Sequence, residues 1–91
     1  MAEIHKKTWR TSFEKVLAGD KTFEIRLADW KCEPGDILIL DEVDDETKEY
    51  TGRSIRKIVG TVARLDEMPD YWPEEEVAKF GYQVISLKEE K

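Results

Sequence analysis

The sequence predicts an α+β domain that is mainly β, with strands bent enough to form a small barrel. Three stretches carry that prediction. Lys21 to Leu27 alternates polar and apolar residues at the period of a strand. Ile37-Leu38-Ile39-Leu40 is an unbroken apolar run behind a Pro34-Gly35-Asp36 turn, as a strand covered on both faces requires. Ser54 to Arg64 is one β-rich segment with Gly60 in its middle. Ile55 and Val59 share a parity there and Val62 has the opposite one. A strand that changes its buried face near a glycine is bulged, which is how small barrels close.

The remaining elements follow in order. Residues 3–7 read as a short first strand. Thr11-Ser12-Phe13-Glu14 matches a capping box, and Phe13, Val16 and Leu17 continue at helical spacing, so a short amphipathic helix is expected over 12–18 with Gly19-Asp20 ending it. Asp44 to Glu49 is a polar hairpin loop and Tyr50 begins the return. Pro73 opens a second helix with Glu74, Glu75 and Glu76 in its first turn, and Gly81 stops it. Tyr82 to Leu87 is a last strand. The expected fold has about five to six strands and two short helices.

The chain of 91 residues has room for one core, so residues 1–91 are read as a single domain. No apolar stretch approaches the ~20 residues that span a bilayer, and the opening residues lack the apolar run of a signal peptide. A cytoplasmic protein with no membrane association is expected. Cys32 is the only cysteine, which excludes an internal disulfide and suits a reducing compartment. Charged residues make up 40% of the chain, asparagine is absent and Gln83 is the only glutamine, a composition similar to that of heat-adapted proteins.

The net charge of −6 argues against a nonspecific nucleic-acid coat, which must neutralise phosphates. The distribution matters more than the sum. Residues 1–31 hold seven Lys/Arg against five Asp/Glu, whereas residues 32–91 hold eight against sixteen. Any anion-binding surface is therefore local and built from the N-terminal third.

Lys21, Glu24 and Arg26 are the first candidate site. Glu24 and Arg26 project from one face of their strand, and Lys21 stands at its mouth. Two cations around a carboxylate can hold a phosphate while the acid accepts from a base amino group or hydroxyl. The same pattern also describes an ordinary solvated ion-pair cluster. Lys6, Lys7 and Arg10 flank Trp9, so this stretch either stacks a base between phosphate contacts or packs Trp9 against Phe13 with the charges in solvent. His5 is the lone histidine and reads as a strand-edge surface residue. The acidic run Asp41, Glu42, Asp44, Asp45, Glu46 and Glu49 lacks the glycine and closing glutamate of a calcium loop, and reads as a solvated hairpin tip. Cys32 reads as an inert thiol. Tyr71-Trp72-Pro73 is either a lid or the apolar entry to the second helix. No metal site and no cofactor are expected.

Gly19-Asp20-Lys21-Thr22-Phe23-Glu24-Ile25-Arg26 resembles the Gly-x-Lys-x-x-Glu-x-Arg motif of the ASCH domain, a branch of the PUA-like superfamily. Gly35-Asp36 matches the Gly-Asp pair that opens a buried strand in that family. Lys7-Thr8-Trp9, Tyr50-Thr51-Gly52-Arg53 and Gly81-Tyr82-Gln83-Val84-Ile85-Ser86-Leu87 extend the likeness over nearly the whole chain. The resemblance implies a pseudobarrel whose cleft, between the first helix and the strands, is lined by Lys21, Glu24 and Arg26, and a ligand that is RNA or a modified nucleoside. Lys7, Trp9 and Arg10 join it as binding candidates. One bacterial branch hydrolyses N4-acylated cytidines with the motif Lys and a Thr three residues on. Here Glu24 replaces that Thr, and a carboxylate nucleophile would give an unstable anhydride. A monomeric binding module is therefore the leading expectation. An amidohydrolase using Lys21 and Glu24 is the second, and a protein-interaction domain using the acidic surface is the third.

Overall fold

A computed structural model describes residues 2–64, 75, 78–79 and 81–90. They form a mainly β α+β fold, with one five-stranded mixed sheet and one helix in the order β1 (Glu3–Trp9), α1 (Arg10–Leu17), β2 (Phe23–Leu27), β3 (Ile37–Val43), β4 (Tyr50–Arg64) and β5 (Tyr82–Glu89). The strands lie in the order β1-β3-β4-β5-β2. β1 runs parallel to β3, and the other neighbours are antiparallel.

β3 is the axis of the sheet. Its first four residues are apolar and buried, and both flanking strands bond to it, as the unbroken run predicts. Leu38 and Leu40 point into the core with Val16 of α1, Val59 of β4, Ile85 of β5 and Cys32 of the β2–β3 loop. Burial pushes the Cys32 thiol pKa up, so the sulfur is held as an unreactive thiol. The turn before β3 forms as expected: the Asp36 N–H donates to the Glu33 carbonyl, and the Asp36 carboxylate accepts from the Glu33 and Ala2 N–H groups.

β4 and β5 pair through a register shift between Val59 and Val62. That bulge lets Ile55, Val59 and Val62 reach the same core although their parities differ. Gly60 sits at the shift because β5 comes too close for a side chain. A Cβ there would lie 2.6 Å from Ser86 Oγ, the oxygen that accepts the displaced Thr61 N–H.

Three sequence expectations change. β1 continues through Trp9 and passes directly into α1 at Arg10, so the helix starts earlier than 12. The capping box does not form. Trp9 occupies the N-cap without a side-chain bond, and Asp45, brought over by the β3–β4 hairpin, accepts from the Arg10 N–H and the Thr11 hydroxyl. A distant carboxylate thus does the work assigned to Thr11, and Glu14 is released to pair with Arg53. Third, one helix is described rather than two. Glu75, Ala78 and Lys79 are helical, but the rest of the helix expected from Pro73 and the Tyr71-Trp72-Pro73 segment lie outside the described residues. Among the described residues no helix is long and apolar enough to cross a membrane.

Gly60→Ala is expected to cost about 1 kcal/mol, because the new methyl displaces Ser86 Oγ from the Thr61 N–H. Combined with Ser86→Ala, it should cost little beyond Ser86→Ala alone. Urea denaturation of the two single variants and the double variant checks this, and additive costs would contradict it.

Candidate functional site

The edges of the sheet, β1 and β2, are where the site forms. α1 ends at Leu17, and Gly19 at φ 84° turns the chain back, so that the Asp20 and Lys21 N–H groups both donate to the Lys15 carbonyl at 3.1 and 3.0 Å. That closed loop sets Lys21 at the mouth of β2.

β2 then shows an inverted pattern. Its apolar residues Phe23, Ile25 and Leu27 are 42%, 56% and 54% exposed, while Glu24 is only 2% exposed and Arg26 is largely covered. The register with β5 explains the orientation. Glu24 lies beside Ile85 and Arg26 beside Gln83, both fully buried, so the polar face of β2 is the inner face. Inward-pointing charge is one of the ways an edge strand avoids pairing with another chain.

A buried carboxylate must be compensated, and Glu24 is. Its Oε1 accepts from Lys21 Nζ at 3.0 Å, and its Oε2 accepts from Arg26 Nε at 2.8 Å, with the η2 nitrogen also 2.8 Å away. Arg26 then reaches across to β1, donating to the Lys7 carbonyl at 2.8 Å and to Thr8 Oγ1 at 3.0 Å. The guanidinium stands where backbone bonds between β1 and β2 would otherwise be.

Above this bridge is a cleft of about 170 Å³ bordered by Lys21, Glu24, Arg26, Lys7, Trp9 and Ser12, with Thr8 and Ile25 completing the wall. The three motif residues are therefore brought together in a concavity rather than scattered in solvent. Lys7 is at the rim. Trp9 is 52% exposed, with Lys48 Nζ 4.7 Å from its ring centroid, and does not pack into the core against Phe13; Phe13 is buried, with the Arg53 guanidinium over its ring at 4.9 Å. Arg10 is not brought to the cleft. It turns to Glu42 and Asp44, its η2 nitrogen 3.0 Å from Asp44.

Sequence reasoning missed a second buried carboxylate. Glu42, read as part of a solvated acidic tip, is 1% exposed. Arg53 donates to both of its oxygens, at 2.9 and 2.6 Å, and the Thr51 hydroxyl donates at 2.5 Å. These bonds hold its pKa at about 2. The pairing crosses the hairpin, so the only signal in the sequence was Thr51 and Arg53 flanking Gly52. Asp44 and Asp45 are likewise structural: Asp44 accepts from the Glu46 and Thr47 N–H groups, which lowers its pKa, and Asp45 caps α1. His5 Nδ1 lies 2.8 Å from Asp41 Oδ2. Among the described residues no group of three or more His, Cys, Asp or Glu side chains could hold a metal ion.

The family model described as a domain of unknown function, DUF3850, matches residues 4–73, which hold β1 except Glu3, α1, β2 to β4 and every residue of the cleft. The chain belongs to the DUF3850 family. Among solved structures, a match is the crystal structure titled "hypothetical protein PH0355", at 18% identity and a TM-score of 0.59 over 94% of this chain and 97% of that one. That likeness establishes a shared fold for this DUF3850 chain. No curated protein matches its sequence.

Two outcomes follow for this DUF3850 domain. Arg26→Ala leaves Glu24 with Lys21 alone and opens the β1–β2 bridge; a loss on the order of 3 kcal/mol is expected in chemical denaturation. The second concerns acid. Glu42 falls from an ordinary 4.5 to about 2 on folding, so the stability it contributes is fully present above pH ~4.5 and is lost as pH falls towards 2. Glu42→Gln should be less stable at pH 7, and its stability should drop less than that of the wild type between pH 5 and pH 2.5, as read from urea midpoints. Parallel pH curves would contradict the assignment.

Proposed function

We propose that this domain binds RNA or a modified nucleoside in the cleft between β1, α1 and β2. One observation carries the reading: Lys21, Glu24 and Arg26 converge beneath an exposed tryptophan in a molecule whose net charge is −6. The ASCH-like order of the motifs agrees with it.

The hydrogen bonds divide the roles. Arg26 commits its Nε–H to Glu24, one η2 N–H to Thr8 and one η1 N–H to the Lys7 carbonyl, with the η2 nitrogen also in ion-pair contact with Glu24. It is mainly a positioning residue. Lys21 gives Glu24 one bond and retains its other ammonium N–H groups, so it makes the principal contact with a phosphate or a base edge. Glu24 holds the two cations at fixed positions. Lys7 supplies a second cation at the rim, and Trp9 offers a face on which a base stacks.

The Lys21–Glu24 contact is also what the amidohydrolase reading needs. Both Glu24 oxygens accept from cations, however, and the carboxylate is nearly inaccessible, so binding is the better use of this geometry. Incubation with N4-acetylcytidine separates the two readings. Turnover that disappears in Lys21→Ala would make the domain an enzyme.

Lys21→Ala should weaken ligand binding at least tenfold, ~1.4 kcal/mol, while the fold persists. Titration with free nucleosides and short single-stranded RNAs, followed by amide NMR shifts, is the test. Unmoved amides at residues 6–10 and 19–26 in every titration would end the binding proposal.

A further inference from the structure

A cleft of 170 Å³ is smaller than the ~300–1,000 Å³ of typical small-molecule sites, and it admits a base or a phosphate rather than a whole nucleotide chain. A second, larger hollow of about 330 Å³ lies on the outer face of β1, β3 and β4, lined by His5, Asp41, Tyr50, Gly52, Arg53 and Ser54. The strand register joins the two hollows. Trp9, Val43 and Tyr50 form one row across three adjacent strands, and Lys7, Asp41 and Ser54 form the next. Trp9 borders the first hollow and Tyr50 the second, with two strand spacings, about 10 Å, between their backbones.

Lys7 is the shared post. It borders the cleft, and its Nζ lies 5.9 Å from the centroid of the Tyr50 ring. Among the described residues it makes no ion pair, unlike Arg10, Arg53, Arg56 and Lys57, which all face carboxylates. Tyr50 is 59% exposed, so its ring is available on the open side.

We propose that the domain's ligand is at least a dinucleotide. One base sits against Trp9 over the Lys21–Glu24–Arg26 bridge, the linking phosphate meets Lys7, and the neighbouring base stacks on Tyr50. There Ser54 donates to its edge and Asp41 accepts from it. Stacking is tolerant of base identity, and the polar groups of the second hollow add orientation. The exposed acidic residues of the hairpin beside Tyr50, Glu46 and Glu49, repel further phosphates, so the bound segment stays short. This inference rests on the binding role proposed for the cleft and extends it by a second subsite.

The experiment compares each nucleoside, its 3′-monophosphate and the matching RNA dinucleoside monophosphate by titration of the intact chain, with amide NMR as readout. The dinucleoside monophosphate should bind at least tenfold more tightly than the nucleoside and shift amides of residues 41 and 50–54 in addition to those of the cleft. Tyr50→Ala should abolish that gain while leaving nucleoside affinity unchanged, and Tyr50→Phe should retain it. Nucleoside binding at the cleft with no gain from the second nucleotide, or a gain that survives Tyr50→Ala, overturns the second subsite alone. No shift at the cleft with any compound overturns the binding role and the subsite together.

Discussion

The constraint on which the rest of the structure depends is the incomplete closure of the sheet between β1 and β2. Four strand pairings share their backbone bonds, and among the described residues the Arg26 side chain bridges the fifth boundary. Arg26 is long enough to reach from β2 to the Lys7 carbonyl and Thr8, but a guanidinium brought among apolar residues needs an anion. Glu24 supplies it, two residues earlier on the same inner face. Glu24 in turn is too deeply covered to be balanced by one cation, and the Gly19 turn delivers Lys21 as the second. Each of the three residues therefore makes the burial of the next tolerable. The cleft is the space left because the strands meet through side chains instead of through a ladder.

This arrangement also accounts for the reversed dressing of β2. A carboxylate and a guanidinium inside leave Phe23, Ile25 and Leu27 outside, which is an unfavourable way to distribute surface if burial of apolar area were the only consideration. The fold accepts it on a short edge strand of five residues, where the inner position is the only one from which Arg26 can reach β1. Local departures from the hydrophobic rule are expected where a site is built.

Much of the architecture was legible in the sequence because it depends on local periodicity. The apolar run Ile37–Leu40 marked the central strand, and the change of parity around Gly60 marked the bulge. The alternation of residues 21–27 gave the correct strand and grouped Glu24 with Arg26, but alternation cannot say which face turns inward. That choice is made by the register with β5, a long-range pairing. The same limit hid Glu42, whose partner Arg53 lies across the hairpin, and the Asp45 cap, which reaches α1 from more than thirty residues away. In an acidic run every carboxylate looks solvated until the fold shows which of them has been taken inside. Trp9 was left between two readings for the same reason: nothing nearby in the chain shows that Phe13 is stacked on by Arg53 rather than by Trp9.

The negative net charge has a structural reading once the ion pairs are placed. Glu42 binds Arg53 and is flanked by Arg10, Arg56 is shared by Glu3 and Glu90, and Lys57 meets Glu89. Most of the cations on β4 are thus neutralised by carboxylates from other elements, and that side of the domain offers little to a polyanion. At the β1–β2 boundary the balance is reversed. Among the described residues a single acid, Glu24, stands against Lys21 and Arg26, and Lys7 also borders the cleft. The excess of positive charge is gathered around a concave cleft, where it is screened less than on open surface. The binding role proposed for the cleft draws on this distribution, which gathers positive charge at one place while the rest of the chain is acidic.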